Sequence, residues 1–494
     1  MRDTFFEQLG ESSDSSKQFD ALAKEFGSLL SRQSSREKPK TQFSNGIRKG
    51  KLMAKEYTGV LWVMLVVIQS AQGTKLLSKK KSFGPTFIAD WVLLIETLLQ
   101  WEEWMKSPIM RKKHVYAARQ KHRYIMYLVR KVAQRQKGMG LKLTKFHAIL
   151  HIADDILNFG VPLEVDTGSN ESRHKPTKTA AKLTQKQRET FEIQTANRLD
   201  EVFLLDLAEL EFSGRPLWHY YVGHEFPPQE APIEDSSSTG GAKYRVTRDQ
   251  NGKYQIHSAR KINGKVQQFM VEETFVSFLG GLQHAVAEHY DEVLLQSMHQ
   301  RNGQIFRSDT VYRGKVWRDW VYVDWGDWGI LPNKIWGFVD LTELPLNSGI
   351  QYGGLSNIPP GVYAIVENAN WTSVLEGPND VDGQDDSELV RRIQTDVVKM
   401  GGKVHDLVFY LADVEAFHQP AIVVPDIGGP ENGYLVLKNR PEWREYFELW
   451  LDSPHNDDEM SAIFESDEDS NLDDSSTDSN NIGSDEGDDS SINE

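Results

Sequence analysis

Apolar residues along the chain keep one period up to about residue 225 and another beyond about residue 240. In the first part they recur every three or four positions, the spacing that lays a single stripe along an α-helix. Residues 86–105 set Ile88, Trp91, Val92, Ile95, Leu98 and Leu99 on one stripe and end before Pro108, which cannot continue a helix. Residues 111–137 turn Val115, Ala118, Ile125, Leu128, Val129 and Val132 inward. Residues 145–157 place Phe146, Ile149, Leu150, Ala153, Ile156 and Leu157 on one side, and Gly160 and Pro162 stop them. Residues 184–212 open with a capping-box pattern at Thr184 and Gln187 and close at Ser213-Gly214-Arg215-Pro216. Residues 56–72 are apolar almost throughout, which predicts a helix buried on most sides.

In the second part the period is two, that of a strand with one face in and one out. Residues 243–271 hold three strand-like runs separated by Asn251-Gly252 and Asn263-Gly264, pairs that accept positive φ and so predict a three-stranded meander. Residues 272–299 read as a helix weakened at Gly280-Gly281. Residues 311–341 carry Trp317, Trp320, Trp325, Trp328 and Trp336. Alternation sends Trp317, Asp319, Val321, Val323 and Trp325 to one side and Arg318, Trp320, Tyr322 and Asp324 to the other, so both faces are apolar, as in the centre of a small barrel or sandwich. Strands are expected at 361–366, 407–411, 421–424 and 433–437, and a closing helix at 442–451.

The fold class that follows is α+β and multidomain, a helical N-terminal domain followed by a mainly antiparallel β domain. The divisions read as a mobile, disordered arm at 1–50 with at most one short helix, a helical domain at 51–223 and a linker at 224–242. A meander plus helix at 243–300, a Trp-rich β domain at 301–451 and a disordered acidic tail at 452–494 complete the chain.

Charge sharpens this picture. The formal charge is −16, but 16 of the 72 acids lie from Asp452 onward, so the remaining 56 balance the 56 Lys and Arg. Residues 106–145 hold 13 Lys and Arg and no acid. On the helix at 111–137 the outward positions include Arg111, Lys112, Lys113, Arg119, Lys121, Arg123, Arg130 and Lys131, with Tyr116, Tyr124 and Tyr127 interleaved. Such a face suits a phosphate backbone, which rewards dense positive charge. A solvated face, or one that docks on the acidic tail, is the alternative.

The chain has no Cys, so it holds neither disulfides nor a thiolate zinc site. The apolar run 60–68 has nine residues, short of the roughly 20 needed to span a bilayer, and the N-terminus lacks a signal peptide's pattern. No membrane is expected, and a nuclear or cytoplasmic location follows.

Three groups of residues carry candidate chemistry. His147, His151 and Asp155, three or four apart on a helix face, can converge on a metal, with Mg or Mn favoured by the oxygen ligands, or they can be ordinary surface side chains. Glu171, Arg173, His174 and Lys175 lie in the loop that follows. Trp320, Tyr322, Asp324 and Trp328 offer an interaction surface, as an aromatic cage for a methylated lysine, or simply a core.

The stretch 145–178 combines a His-containing helix, the pair Phe159-Gly160 and the Glu-centred basic loop NESRHKPTK. It resembles the region downstream of the catalytic core in CACTA (En/Spm) type transposases, and 311–437 is loosely similar to the aromatic β module of those element proteins. In the wider DDE group three acids on a ribonuclease-H-like fold hold two metal ions for DNA phosphoryl transfer. The resemblance matches Glu171 to the last acid. No β-hairpin run with the two earlier Asp residues precedes it, because 51–140 reads as helices. What the resemblance implies is therefore a nuclear DNA-binding fragment or domesticated remnant without independent activity. The competing reading is a non-catalytic interaction or chromatin-reader scaffold with a protein partner, and a metal-dependent hydrolase at His147, His151 and Asp155 is a third. No nucleotide-binding Gly-rich loop or Ser nucleophile elbow points to another enzyme.

Overall fold

A computed structural model describes residues 1–10, 13–33, 38–48, 52–53, 56–80, 83–134, 147–162, 177, 179–184, 189–212, 238–259, 268–269, 273–301, 303–308, 317–370, 390–395, 398–400, 403–405, 409–430 and 433–453. The second predicted turn, at Asn263-Gly264, lies outside the described residues, as does the acidic segment from 454 onward.

The expected arm is instead part of the core. α1 (Arg2–Leu9) and α2 (Asp14–Ser31) sink Phe5, Phe19 and Phe26 completely, and Phe5 meets Phe19 and Trp91 at ring distances of 4.8 and 4.9 Å. The apolar residues at the start of the chain looked isolated because α1 offers only two turns, and its partners are remote in sequence. Ser13 accepts from the Ser16 amide and so starts α2.

α3 (Tyr57–Gln69) and α4 (Ala71–Ser78) meet at a 76° bend, where the Ser70 side chain accepts from the Gly73 amide. Val63, Met64, Leu65, Val67 and Ile68 of α3 are fully buried, as its unbroken apolar run predicts. Among the described residues no single helix is long and apolar enough to cross a membrane. α5 (Phe87–Met105) follows the sequence-predicted span closely, whereas α6 (Lys112–Val132) starts as expected but ends at Val132, short of the predicted 137. A short 3₁₀ turn at Ile149–His151 leads into α7 (Ile152–Phe159), which Gly160 ends at φ 97°. α8 (Phe191–Phe212) completes the helices of this part.

The strands are β1 (Ser238–Arg248), β2 (Tyr254–Ser258), β3 (Gln268–Phe269), β4 (Leu294–Arg301), β5 (Gln304–Arg307), β6 (Trp320–Asp324) and β7 (Ile330–Asp340). Then come β8 (Val362–Asn370), β9 (Val390–Thr395), β10 (Val398–Met400), β11 (Lys403–His405), β12 (Phe409–Asp413), β13 (Phe417–Pro425) and β14 (Gly433–Leu437). Among the described residues all strand pairings are antiparallel. The run β6–β7–β8–β9–β14–β13 returns to β6, closing a six-stranded ring. β7 also passes to β4 and on through β1 to β2 and β3. The α+β class with helices before an antiparallel sheet is thus present.

Two divisions move. β1 begins at Ser238, inside the expected linker, and Ser238–Gly240 pair with Met298–Gln300. Gly241, at φ 79°, marks a bulge there that a Cβ would push against Ser297 and Met298. The expected helix at 272–299 ends early: α9 (Glu273–Ala285) gives way to β4, whose Leu295, Gln296, Ser297 and His299 are buried. Gly280 and Gly281 do not break α9. They let it close on the sheet, since a Cβ at Gly280 would lie 2.5 Å from the Tyr254 ring and one at Gly281 2.3 Å from the Tyr352 hydroxyl oxygen.

α10 (Arg440–Asp452), opened by a capping box between Asn439 and Glu442, returns to the helices and packs on α5 and α6. Trp443 meets Trp62 of α3 with ring centroids 4.9 Å apart. One core cluster contains residues of α1 to α6 together with Ile422, Val424, Leu435, Leu437 and Trp443. The boundary expected between a helical and a β domain is therefore a change of secondary structure within a shared core.

Candidate nucleic-acid interface

α6 is built by two faces. Val115, Ala118, Ile125, Leu128, Val129 and Val132 are buried, as their spacing requires. His122 is buried with them and accepts a hydrogen bond from Trp101 Nε1 at 3.0 Å, and burial pushes its pKa down to about 4. The imidazole is a neutral acceptor in the helix interface, not a surface charge.

The opposite face exposes Arg111, Lys112, Lys113, Tyr116, Arg119, Arg123, Arg130 and Lys131. It is not unneutralised. Lys113 meets Asp452 at 2.7 Å, Lys131 meets Asp90 at 3.2 Å, and Arg119 pairs with Asp154 of α7. Asp452 also contacts His114 Nε2 at 3.1 Å, and the Lys113 hydrogen bond, followed by that of His114, holds its carboxyl below the usual value. Lys121 leaves the expected cationic row altogether: it is buried, its ammonium 4.4 Å from the centre of the Trp450 ring, and burial lowers its pKa. Of the three tyrosines only Tyr116 is exposed, with the Arg119 guanidinium 5.4 Å over its ring. Tyr124 packs against Trp450 instead.

His147 and His151 converge, with Nε2 atoms 3.2 Å apart and both side chains exposed. Asp155 does not join them. Among the described residues no group of three or more His, Asp or Glu side chains is placed to hold a metal ion. A pair of nitrogens also fits Mg or Mn poorly, since these hard ions take mostly oxygen. Glu171, Arg173, His174 and Lys175 lie outside the described residues.

The expected aromatic cage is a core with its own cation. Trp320 and Tyr322 are buried inside the closed ring, while Asp324 and Trp328 are exposed. Lys334 of β7 places its ammonium 5.5 Å from the Trp336 ring centre and 5.4 Å from that of Tyr434, and donates to the Tyr434 hydroxyl at 3.1 Å. The buried Glu367 carboxylate accepts from Trp336 Nε1 at 2.9 Å and lies 3.5 Å from the ammonium. Burial works against the Lys334 charge, but Glu367 and Tyr434 outweigh it and raise the pKa. The Trp336 ring is already covered by the Arg318 guanidinium, 3.7 Å from its centre, and the Tyr434 ring by Lys334 at 5.4 Å, so both are occupied by the chain's own cations.

What remains on this side of the fold is a projecting turn. Gly326 and Gly329, at φ 64° and 80°, close the β6–β7 connection, with Trp325 N donating to Gly329 O. Trp328 stands on it with 82% of its surface exposed. Sequence alternation did not single out Lys334 and Glu367, because a charge is visible as a core member only once its cross-strand partner is known.

No protein-family model matches the chain, and no curated protein or solved structure is significantly similar to it.

Proposed function

We propose that this is a transposase-derived nuclear DNA-binding protein that holds the phosphate backbone along the outer face of α6. The observation that carries the reading is the exposed row Lys112, Arg119, Arg123, Arg130 and Lys131 on one helix, with Arg111 at its N-cap. From Lys112 to Arg130 the helix rises about 27 Å, long enough to track several successive phosphates. The carboxylates on the row do not argue against it. Exposed ion pairs are weak and screened, and a polyanion with its condensed counterions displaces a single carboxylate readily. Tyr116 adds a ring beside Arg119 that suits a sugar or an unpaired base. Such contacts fix position and affinity without reading sequence. The activity proposed is binding, and strand cleavage is not part of it.

The test is the affinity of the full chain for a labelled duplex, compared with that of an Arg123→Ala, Arg130→Ala, Lys131→Ala variant. A loss of tenfold or more supports the reading, and equal affinity contradicts it.

A second reading is favoured by Trp328. An exposed indole on a turn braced by two glycines in the left-handed region is an anchor for a protein partner, with Asp324 and Asp327 beside it to favour a basic one. In that case a Trp328→Ser variant loses its partner and keeps its DNA affinity.

A further inference from the structure

We infer that His147 and His151 form a two-nitrogen chelate for a borderline divalent ion of the zinc, nickel or copper class. The inference stands apart from the DNA reading and uses neither the α6 row nor the loop after α7. Its basis is geometric. The two Nε2 atoms are 3.2 Å apart, on side chains four residues apart in the chain. An ion bound at about 2.0–2.1 Å from each nitrogen sets them about 2.9 Å apart at a right angle and about 3.3 Å apart at the tetrahedral angle. The observed separation of 3.2 Å falls between these, the spacing that a two-nitrogen chelate requires.

Without metal, the same contact is a hydrogen bond in which one neutral imidazole donates Nε2–H and the other accepts. Metal binding needs the donor imidazole to move its proton from Nε2 to Nδ1, so that each ring stays neutral and both Nε2 lone pairs are free for the ion. Both side chains are exposed, so no burial penalty opposes the bound charge, and water fills the remaining coordination positions. The donor set decides the class of ion. Imidazole nitrogen suits zinc, nickel and copper, whereas magnesium and manganese look for oxygen, and Asp155 is not brought into the pair. The chain's lack of Cys leaves no thiolate to take the ion elsewhere.

The experiment is calorimetric titration of the full chain with zinc chloride, and separately with magnesium chloride, at neutral pH. His147→Ala and His151→Ala variants are titrated alongside, with their melting temperatures measured to show that both fold. The expected result is a zinc-binding event in the parent that is missing from each variant, together with a zinc-induced rise in melting temperature that neither variant shows. Magnesium should give neither. Equal zinc binding by the parent and both variants overturns the inference, as does the absence of any zinc event in the parent. Magnesium binding that disappears with either histidine overturns the assigned class of ion.

Discussion

The side chain of Gln33 pairs with both backbone groups of Val423: Gln33 Nε2 donates to the Val423 carbonyl at 2.9 Å, and the Val423 amide donates to Gln33 Oε1 at 3.4 Å. β6 begins at Trp320, opposite Ala421, and so does not reach Val423, and the carboxamide stands in for the missing strand. Gln33 is only 4% exposed, so no water substitutes for it. Gln33→Leu removes both bonds and leaves a buried amide and carbonyl unpaired, a cost of about 1–3 kcal/mol. Urea unfolding should show the midpoint falling accordingly, and an unchanged midpoint would mean that the end of α2 does not hold the sheet.

Lys334 and Glu367 form a charge pair inside the aromatic surround of β7, β8 and β14. Lys334→Met takes the ammonium partner from the buried Glu367 carboxylate, which keeps its Trp336 Nε1 donor, and should cost about 3 kcal/mol, and Glu367→Gln added to it should recover part of that loss. The raised Lys334 pKa gives a second check. Its contribution is complete below the ordinary value of 10.5 and is lost as pH climbs through the higher folded value. Alkaline unfolding of the parent should therefore be steeper than that of the double variant.

Asp319 is buried, and this pushes its pKa up to about 7, against the hydrogen bonds it accepts from Trp317 Nε1 and the Arg307 amide, each at 2.7 Å. Between the ordinary 3.8 and about 7 the folded chain keeps a proton there that the unfolded chain has lost, so this group lowers stability as pH rises. His122 and His299, pushed down to about 4 by burial, act oppositely: from 6.5 downward the unfolded chain gains protons that the folded chain refuses. Asp319→Asn removes the group that offsets the two histidines. Its stability should fall more steeply on acidification than the parent's, as followed by urea midpoints across that window, and parallel curves would contradict the assignment.

Trp328 contributes nothing to the core. Trp328→Ser should leave the unfolding free energy within about 0.5 kcal/mol of the parent's. A larger loss by calorimetry would show that the indole is packed and would remove the second functional reading.

Secondary structure was legible where one periodic face was long. α5, α6 and the Trp320–Asp324 strand declare themselves through buried side chains that repeat at the helix or strand period. Short elements with distant partners do not: α1, α2 and the start of β1 read as an arm and a linker in the sequence because Phe5, Phe26 and Ser238 find their neighbours far along the chain. The candidate site was legible as a basic helix. Its ion pairs with Asp90, Asp154 and Asp452 were not, since each bridges segments whose relative placement only the tertiary fold sets.

The most direct test of the α6 reading is the salt dependence of duplex binding by the full chain and by the Arg123→Ala, Arg130→Ala, Lys131→Ala variant. Each phosphate neutralised adds about 0.9 to the slope of log affinity against log salt, so removing three contacts should flatten it by about 2 to 3. A flatter slope with weaker binding at low salt is the predicted result. Identical slopes and affinities for the two proteins would contradict the proposal that the outer face of α6 holds DNA.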